Sequence, residues 1–203
     1  MFITFEGPDG SGKSTQIPLL VRHLAVRNLN VIAVREPGGT SIGDQVRQVL
    51  HDLNNDAMDP HAELLLYSAS RAQLVAQVIR PQLERGGIVI CDRYADSTYA
   101  YQGYGRGLDL AALRQITEFA TGGLIPDLTL FLDIDPEHGL NRRSAEGEWN
   151  RMDALALDFH RRVRDGYLAL IAADPARWVQ IDGSQPVEAV HAAICTVVDA
   201  RLR

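Results

Sequence analysis

Short apolar runs rich in β-branched residues alternate along the chain with longer stretches in which apolar positions recur every three or four residues. The short runs predict strands at Phe2 to Glu6, Val31 to Arg35, Ile88 to Cys91, Leu128 to Asp133 and Trp178 to Ile181. The longer ones predict helices at Lys13 to Arg27, Ser41 to Leu50, Pro60 to Glu84, Asp109 to Thr121, Pro136 to Arg143, Ala154 to Ala173 and Pro186 to Leu202. The strands are apolar nearly throughout, so both their faces must be covered. That is the pattern of an α/β fold in three layers, a five-stranded parallel sheet with helices on both faces. No repeat, low-complexity tract or linker interrupts it, and a single domain over residues 1–203 is expected.

In such a sheet, ligands gather beyond the carboxyl ends of the strands. The unusual residues fall there. The first strand runs into Gly7-Pro8-Asp9-Gly10-Ser11-Gly12-Lys13-Ser14, the second ends at Arg35-Glu36-Pro37-Gly38-Gly39-Thr40, the third at Asp92-Arg93-Tyr94 and the fourth at Asp133. The glycine segment reads G-x-x-x-x-G-K-S between a strand and a helix, the setting of a P-loop. Its backbone N–H groups can wrap an anion at the positive end of the following helix. Lys13 would then span the β- and γ-phosphates of a nucleotide, and the Ser14 hydroxyl would ligate Mg²⁺.

Lys13 is the only lysine in the chain, against nineteen arginines. A compact ammonium on a flexible stem has thus been kept at the one position where a phosphate cradle uses it. The competing reading, a glycine-rich turn that happens to hold a lysine, leaves the flanking strand and helix unexplained. Asp92, an acid at a strand end, fits a second Mg²⁺ ligand, and Arg93 can pair bidentately with a phosphate. Without the cradle, Asp92 and Arg93 would read as a structural ion pair. Asp133 follows an apolar strand too, but capping of the next helix would explain it equally well.

Composition narrows the classes. With 46% hydrophobic residues, 203 residues can bury a good core. A formal net charge of −6 argues against a nucleic-acid binder. The absence of a membrane-length apolar stretch and of a signal-peptide pattern makes the cytoplasm the expected compartment. Cys91 and Cys195 lie in apolar runs without metal-ligand spacing and read as buried free thiols.

Taken together, the segments resemble thymidylate kinases, P-loop enzymes that phosphorylate dTMP. The resemblance runs nearly end to end: Phe5 to Thr15, Arg35 to Thr40, Asp92-Arg93-Tyr94 with Ser97 to Gly103, and Leu140 to Arg151. It implies a P-loop NTPase fold, an ATP site at Gly7, Pro8, Asp9, Gly10, Ser11, Gly12, Lys13, Ser14 and Thr15, and Mg²⁺ at Ser14 and Asp92. On the dTMP side it implies Asp9, Arg35, Pro37, Tyr67, Arg71, Arg93, Thr98 and Tyr101. The family usually stacks a Phe on thymine where this chain has Tyr67, whose hydroxyl needs a partner or water. Arg71, four residues on, would donate to thymine O4 and leave cytosine facing a like donor. Thr98 would meet the N3 edge, and Tyr101 would lie where a 2′-hydroxyl clashes. Singly, Tyr67, Tyr99 and Tyr101 read as core aromatics; the flanking motifs set Tyr67 and Tyr101 apart.

Some relatives place an arginine directly after the P-loop aspartate, where this chain has Gly10. The resemblance therefore assigns the catalytic cation to a lid over about 142–151, with Arg142, Arg143 and Arg151 as candidates beside Lys13 and Arg93. Glu146 stands where relatives often carry another base. Arg161, Arg162 and Arg164 read as a solvated helix face. The segment Asp182 to Pro186 resembles a loop along the adenine, which Arg142 would stack on from the other side; a plain turn remains the alternative. A homodimer through the helices at 60–84 and 109–121 is expected. Two rivals stay open: another small P-loop kinase acting on UMP, AMP or a small metabolite, and a GTPase. The guanine-reading Asn-Lys-x-Asp motif is ruled out because the single lysine is in the P-loop.

Overall fold

The computed structural model describes residues 1–146 and 149–202. Strands β1 (Phe2–Glu6), β2 (Val31–Arg35), β3 (Ile88–Asp92), β4 (Leu128–Asp133) and β5 (Trp178–Asp182) form one parallel sheet in the order β2-β3-β1-β4-β5. After β1 the chain crosses to β2 on one side, returns through β3 and passes to β4 on the other. The crevice at the end of β1 is therefore a topological switch point.

The helices are α1 (Lys13–Val26), α2 (Ser41–His51), α3 (Pro60–Leu74), α4 (Arg80–Glu84), α5 (Ala95–Thr98), α6 (Leu110–Thr121), α7 (Pro136–Glu146), α8 (Leu157–Ala173) and α9 (Val187–Arg201). A π turn at Val75–Ile79 joins α3 to α4, so the long helical pattern from Pro60 to Glu84 is continuous. A second π segment, Tyr99–Gly105, extends α5. This helical stretch, Ala95 to Gly105, was not legible as a helix because its tyrosines and glycines carry no three-to-four apolar period.

Strand alternation divides the core. Ile3, Phe5, Ile88, Ile90, Leu128, Leu130 and Leu132 pack with Leu20, Leu24, Ile194 and Val198 of α1 and α9. On the opposite face Phe2, Val89 and Cys91 meet Leu74, Val75, Ile79 and Tyr94, while Phe131 and Trp178 meet Tyr101, Phe159, Val163 and Tyr167. Caps set the helix starts: Thr40 accepts from Gly43 N, Asp59 from His61 N, and Asp109 from Ala111 N and Ala112 N. Among the described residues no helix is long and apolar enough to cross a membrane. Both cysteines are free, Cys91 buried and Cys195 half-buried.

Candidate active site

All five strands end at one edge, where a cleft of about 250 Å³ opens. It is lined by Gly10, Ser11, Gly12, Lys13 and Ser14, by Arg35 and Pro37, and by Tyr67, Arg71, Arg93, Thr98 and Tyr101. One cavity thus joins the anion cradle to an aromatic and arginine-lined pocket.

In the glycine loop, Gly12 has φ 95° and lies just before the first turn of α1. A side chain at Gly10 would collide with the carbonyl oxygen of Gly139 on α7. Lys13 Nζ donates to Gly7 O at 3.0 Å, Pro8 O at 2.8 Å and Ser11 Oγ at 3.1 Å. Burial and the Arg93 cation depress its pKa to about 8, against the pull of Asp92, Asp9 and Glu6. A bound phosphate would restore its basicity.

Asp92 closes β3 and Ser14 stands in the first turn of α1, both on the cleft. Asp92 Oδ1 is buried and has no partner among the described residues. An orphaned carboxylate oxygen sharing the cleft with an exposed hydroxyl fits a hard divalent cation.

Arg93 has φ 65°, a left-handed backbone unusual for a residue with a side chain. Its Nη2 donates to Asp9 Oδ1 at 2.7 Å and its Nη1 to Tyr167 Oη at 3.1 Å, with the guanidinium 4.9 Å from the centre of the Tyr101 ring. Tyr101 Oη donates to Asp9 Oδ2 at 2.8 Å. Burial opposes charge on Asp9, but the Arg93 and Lys13 cations outweigh it and hold the carboxyl well below the usual range. Behind this pair lies Glu6, which accepts from Tyr94 N, Ser97 Oγ and Tyr167 Oη. Burial and the nearby Asp96 push its pKa up to about 7, although Arg93 resists.

Arg71 is buried. Its Nε and Nη2 grip Glu36 Oε2, at 2.8 and 2.7 Å, its Nη2 also donates to Tyr94 O and its Nη1 to Thr98 Oγ1, both at 2.9 Å. Of the five N–H donors of a guanidinium, one on Nη1 is left for the cleft. Thr98 is thereby oriented by Arg71. The Tyr67 hydroxyl has no hydrogen-bond partner among the described residues, and burial raises its pKa above the ordinary phenol value.

The three lid arginines part company. Arg143 lines the cleft, with Nε 3.5 Å from Asp153 Oδ2. Arg142 Nη1 lies 3.4 Å from Gly183 O, in the loop expected along the adenine. Arg151 is not brought to the cleft: it is buried, donating from Nη2 to Glu63 Oε2 at 2.6 Å and from Nε to Leu50 O at 2.9 Å. Gly147 and Glu148, inside the expected lid, lie outside the described residues. Thr15 is exposed on α1 and does not line this cleft, and Gly7 and Pro8 contribute through their carbonyls to Lys13.

Two further sequence expectations change. Asp133 does not cap the next helix. Asp135 does so, through Glu137 N and His138 N, while Asp133 takes both Nε and Nη2 of Arg164, at 2.7 and 2.8 Å. Arg161 and Arg162 of α8 are exposed, as expected of a solvated face, although Arg162 also donates to Gly105 O, while Arg164 is half-buried against Asp133. Sequence reasoning also missed Arg47 and His51, which share one face of α2 and line the cleft, and Tyr167, which bonds Glu6 and Arg93. The polar pair four residues apart on α2 was the available signal.

A family model described as thymidylate kinase matches residues 5–194. The chain is 55% identical to a thymidylate kinase of Roseiflexus castenholzii, over 100% of this chain and 94% of that protein. It is 51% identical to one of Deinococcus radiodurans, over 99% and 97%. A crystal structure of thymidylate kinase from Ehrlichia chaffeensis superposes with a TM-score of 0.81 at 35% identity, covering 98% of each chain.

Proposed function

The chain belongs to the thymidylate kinase family and phosphorylates dTMP with ATP in nucleotide biosynthesis; from that premise we propose how its own residues divide the work. The observation that carries the reading is the continuity of one cleft from the glycine loop to Tyr67, Arg71 and Thr98. A donor phosphate chain on Lys13 and an acceptor base between Tyr67 and Arg71 would face each other across Asp9 and Arg93.

In this reading the glycine loop and Lys13 hold the β- and γ-phosphates. Arg93, steadied by Asp9, Tyr101 and Tyr167, turns its guanidinium to the acceptor phosphate, with Arg35 at the outer wall. Tyr67 stacks on thymine, and the remaining Nη1 hydrogen of Arg71 reaches O4. Ser14 and Asp92 would hold Mg²⁺, which when bound neutralises charge between the phosphates. The acceptor oxygen is already anionic at neutral pH, so no side-chain base or nucleophile is required. Charge neutralisation and alignment carry the reaction.

Gly10 admits no side chain, so the cation at the transferred group comes from the lid, and Arg143 is the lid arginine that lines the cleft. Arg142 and the loop at Gly183 are assigned to the adenine. The chain is read as one domain over 1–203 with a lid at about 142–151. It is read as cytoplasmic, in keeping with two free cysteines. We also read it as a homodimer through α3 and α6, which pack together and expose Leu65 and Phe119.

A substrate panel with purified protein tests the acceptor assignment. dTMP should exceed dUMP modestly, because a methyl group in a pocket is worth about 1–3 kcal/mol. UMP and dCMP should be poor. Higher kcat/KM on AMP or UMP than on dTMP would overturn it.

A further inference from the structure

Glu63 is fully buried on α3, does not line the cleft, and collects four donors: Gln102 Nε2 at 2.8 Å, Arg106 Nε at 3.3 Å and Nη2 at 2.8 Å, and Arg151 Nη2 at 2.6 Å. Burying ionised groups is costly, and apolar residues of similar volume would hold the same elements together as well. The charges therefore call for a reason in placement.

Arg151 supplies one. Besides Glu63 it grips the end of α2, through Nε to Leu50 O at 2.9 Å and its backbone N to His51 O at 3.4 Å. The turn around it is closed by its own polar groups: Asn150 Oδ1 accepts from Met152 N at 2.8 Å, and Asp153 Oδ2 accepts from Asn150 N at 3.0 Å. The same Asp153 oxygen faces Arg143 Nε at 3.5 Å. An unbroken series of contacts thus leads from α3 to the arginine on the cleft. Tyr67 and Arg71 follow Glu63 at four and eight residues, on the same face of α3.

We propose that Glu63 is a positioning residue: through Arg151 it fixes the turn 150–153, which sets Arg143 for phosphoryl transfer in the same frame that holds the nucleobase. This rests on the role given to Arg143 above. Wild-type turnover of dTMP, measured first, tests that activity separately.

The experiment compares Glu63→Gln, Arg151→Met, Arg151→Lys and the Glu63→Gln/Arg151→Met double variant, each checked by thermal melting. Each of Glu63→Gln and Arg151→Met should lower kcat about tenfold or more while the dTMP Kd, measured with a non-hydrolysable ATP analogue, stays within about threefold. The double variant should be no slower than the slower single, and Arg151→Lys should recover part of the rate. Independently of turnover, amide exchange at 150–153 should quicken in Glu63→Gln. If that variant does not fold, Asp153→Asn, which leaves the Glu63 cluster intact, should show the same kcat loss at unchanged dTMP affinity. Wild-type kcat in folded Arg151→Met, unchanged exchange at 150–153, or equal losses of kcat and dTMP affinity would overturn the proposal. So would Glu63→Gln turning over faster than wild type, since Arg151 would then act on the substrate directly.

Discussion

Gly10 and Gly139 meet backbone to backbone: a methyl group on Gly10 would strike the Gly139 carbonyl, and one on Gly139 would strike the carbonyl of Asp9. The glycine loop and α7 are in contact with no room for a side chain between them. Gly139→Ala should therefore push the loop off its phosphate-binding geometry at an overpacking cost of about 1–3 kcal/mol. ATP KM should rise and kcat fall by about tenfold or more, in a protein that still melts cooperatively. Wild-type kinetics in this variant would show that the loop and α7 can separate freely.

Lys13→Ala should reduce kcat by about 100-fold or more with the fold retained, because its ammonium meets charge that develops in transfer. Near-normal turnover of a folded variant would remove the phosphate role.

The Lys13 pKa of about 8 gives a pH prediction with a definite sign. Phosphates beside the ammonium raise that pKa, so above about pH 8 nucleotide binding must take up a proton that the free protein has lost. Calorimetry near pH 8.5, in two buffers of different ionisation enthalpy, should report uptake for the wild type and none for Lys13→Met. In the free protein, the unfolded chain keeps this proton toward its ordinary 10.5 while the folded chain releases it near 8, so this group's contribution to stability rises with pH between those values. Proton release on binding would refute the assignment.

Arg71→Met strands Glu36, whose pKa burial already raises against the opposing charge of Arg71. Removing one partner of such a buried pair costs about 3–5 kcal/mol. The Arg71→Met/Glu36→Gln double variant should regain much of that stability but not the preference for dTMP over dCMP. Denaturant unfolding and a two-substrate competition separate the two effects. Recovery of discrimination in the double variant would place base reading elsewhere.

Arg143→Ala should lower kcat about 100-fold while leaving dTMP KM within about threefold, the pattern of an interaction made only in the transition state. An Arg142→Ala variant should instead weaken ATP binding. Equal kinetics in the two variants would contradict this division.

Phe119 on α6 is 92% exposed and Leu65 on α3 57%. Light scattering should return twice the 22.4 kDa chain mass at micromolar concentration, and Phe119→Arg or Leu65→Glu should shift it toward the monomer. A wild-type monomer would sink the dimer.

Sequence by itself determined whatever depends on local order. Strand and helix positions followed from apolar spacing, and Lys13, Asp92 and Arg93 could be placed on one edge because parallel strands must all end there. Helix spacing alone put Tyr67 and Arg71 on one face. The helical segment from Ala95 to Gly105 escaped, because glycine and tyrosine give no helical period and its conformation is fixed by packing against α8. Only the tertiary structure decided which charges are partners. Asp133 took Arg164 rather than a helix end, Glu36 took Arg71, and Glu63 drew Arg151 away from the cleft while Arg143 stayed on it. The reason is physical. Residues that pair here lie 31, 35 and 88 positions apart, and a carboxylate selects its guanidinium by burial and distance, neither of which is written in local sequence.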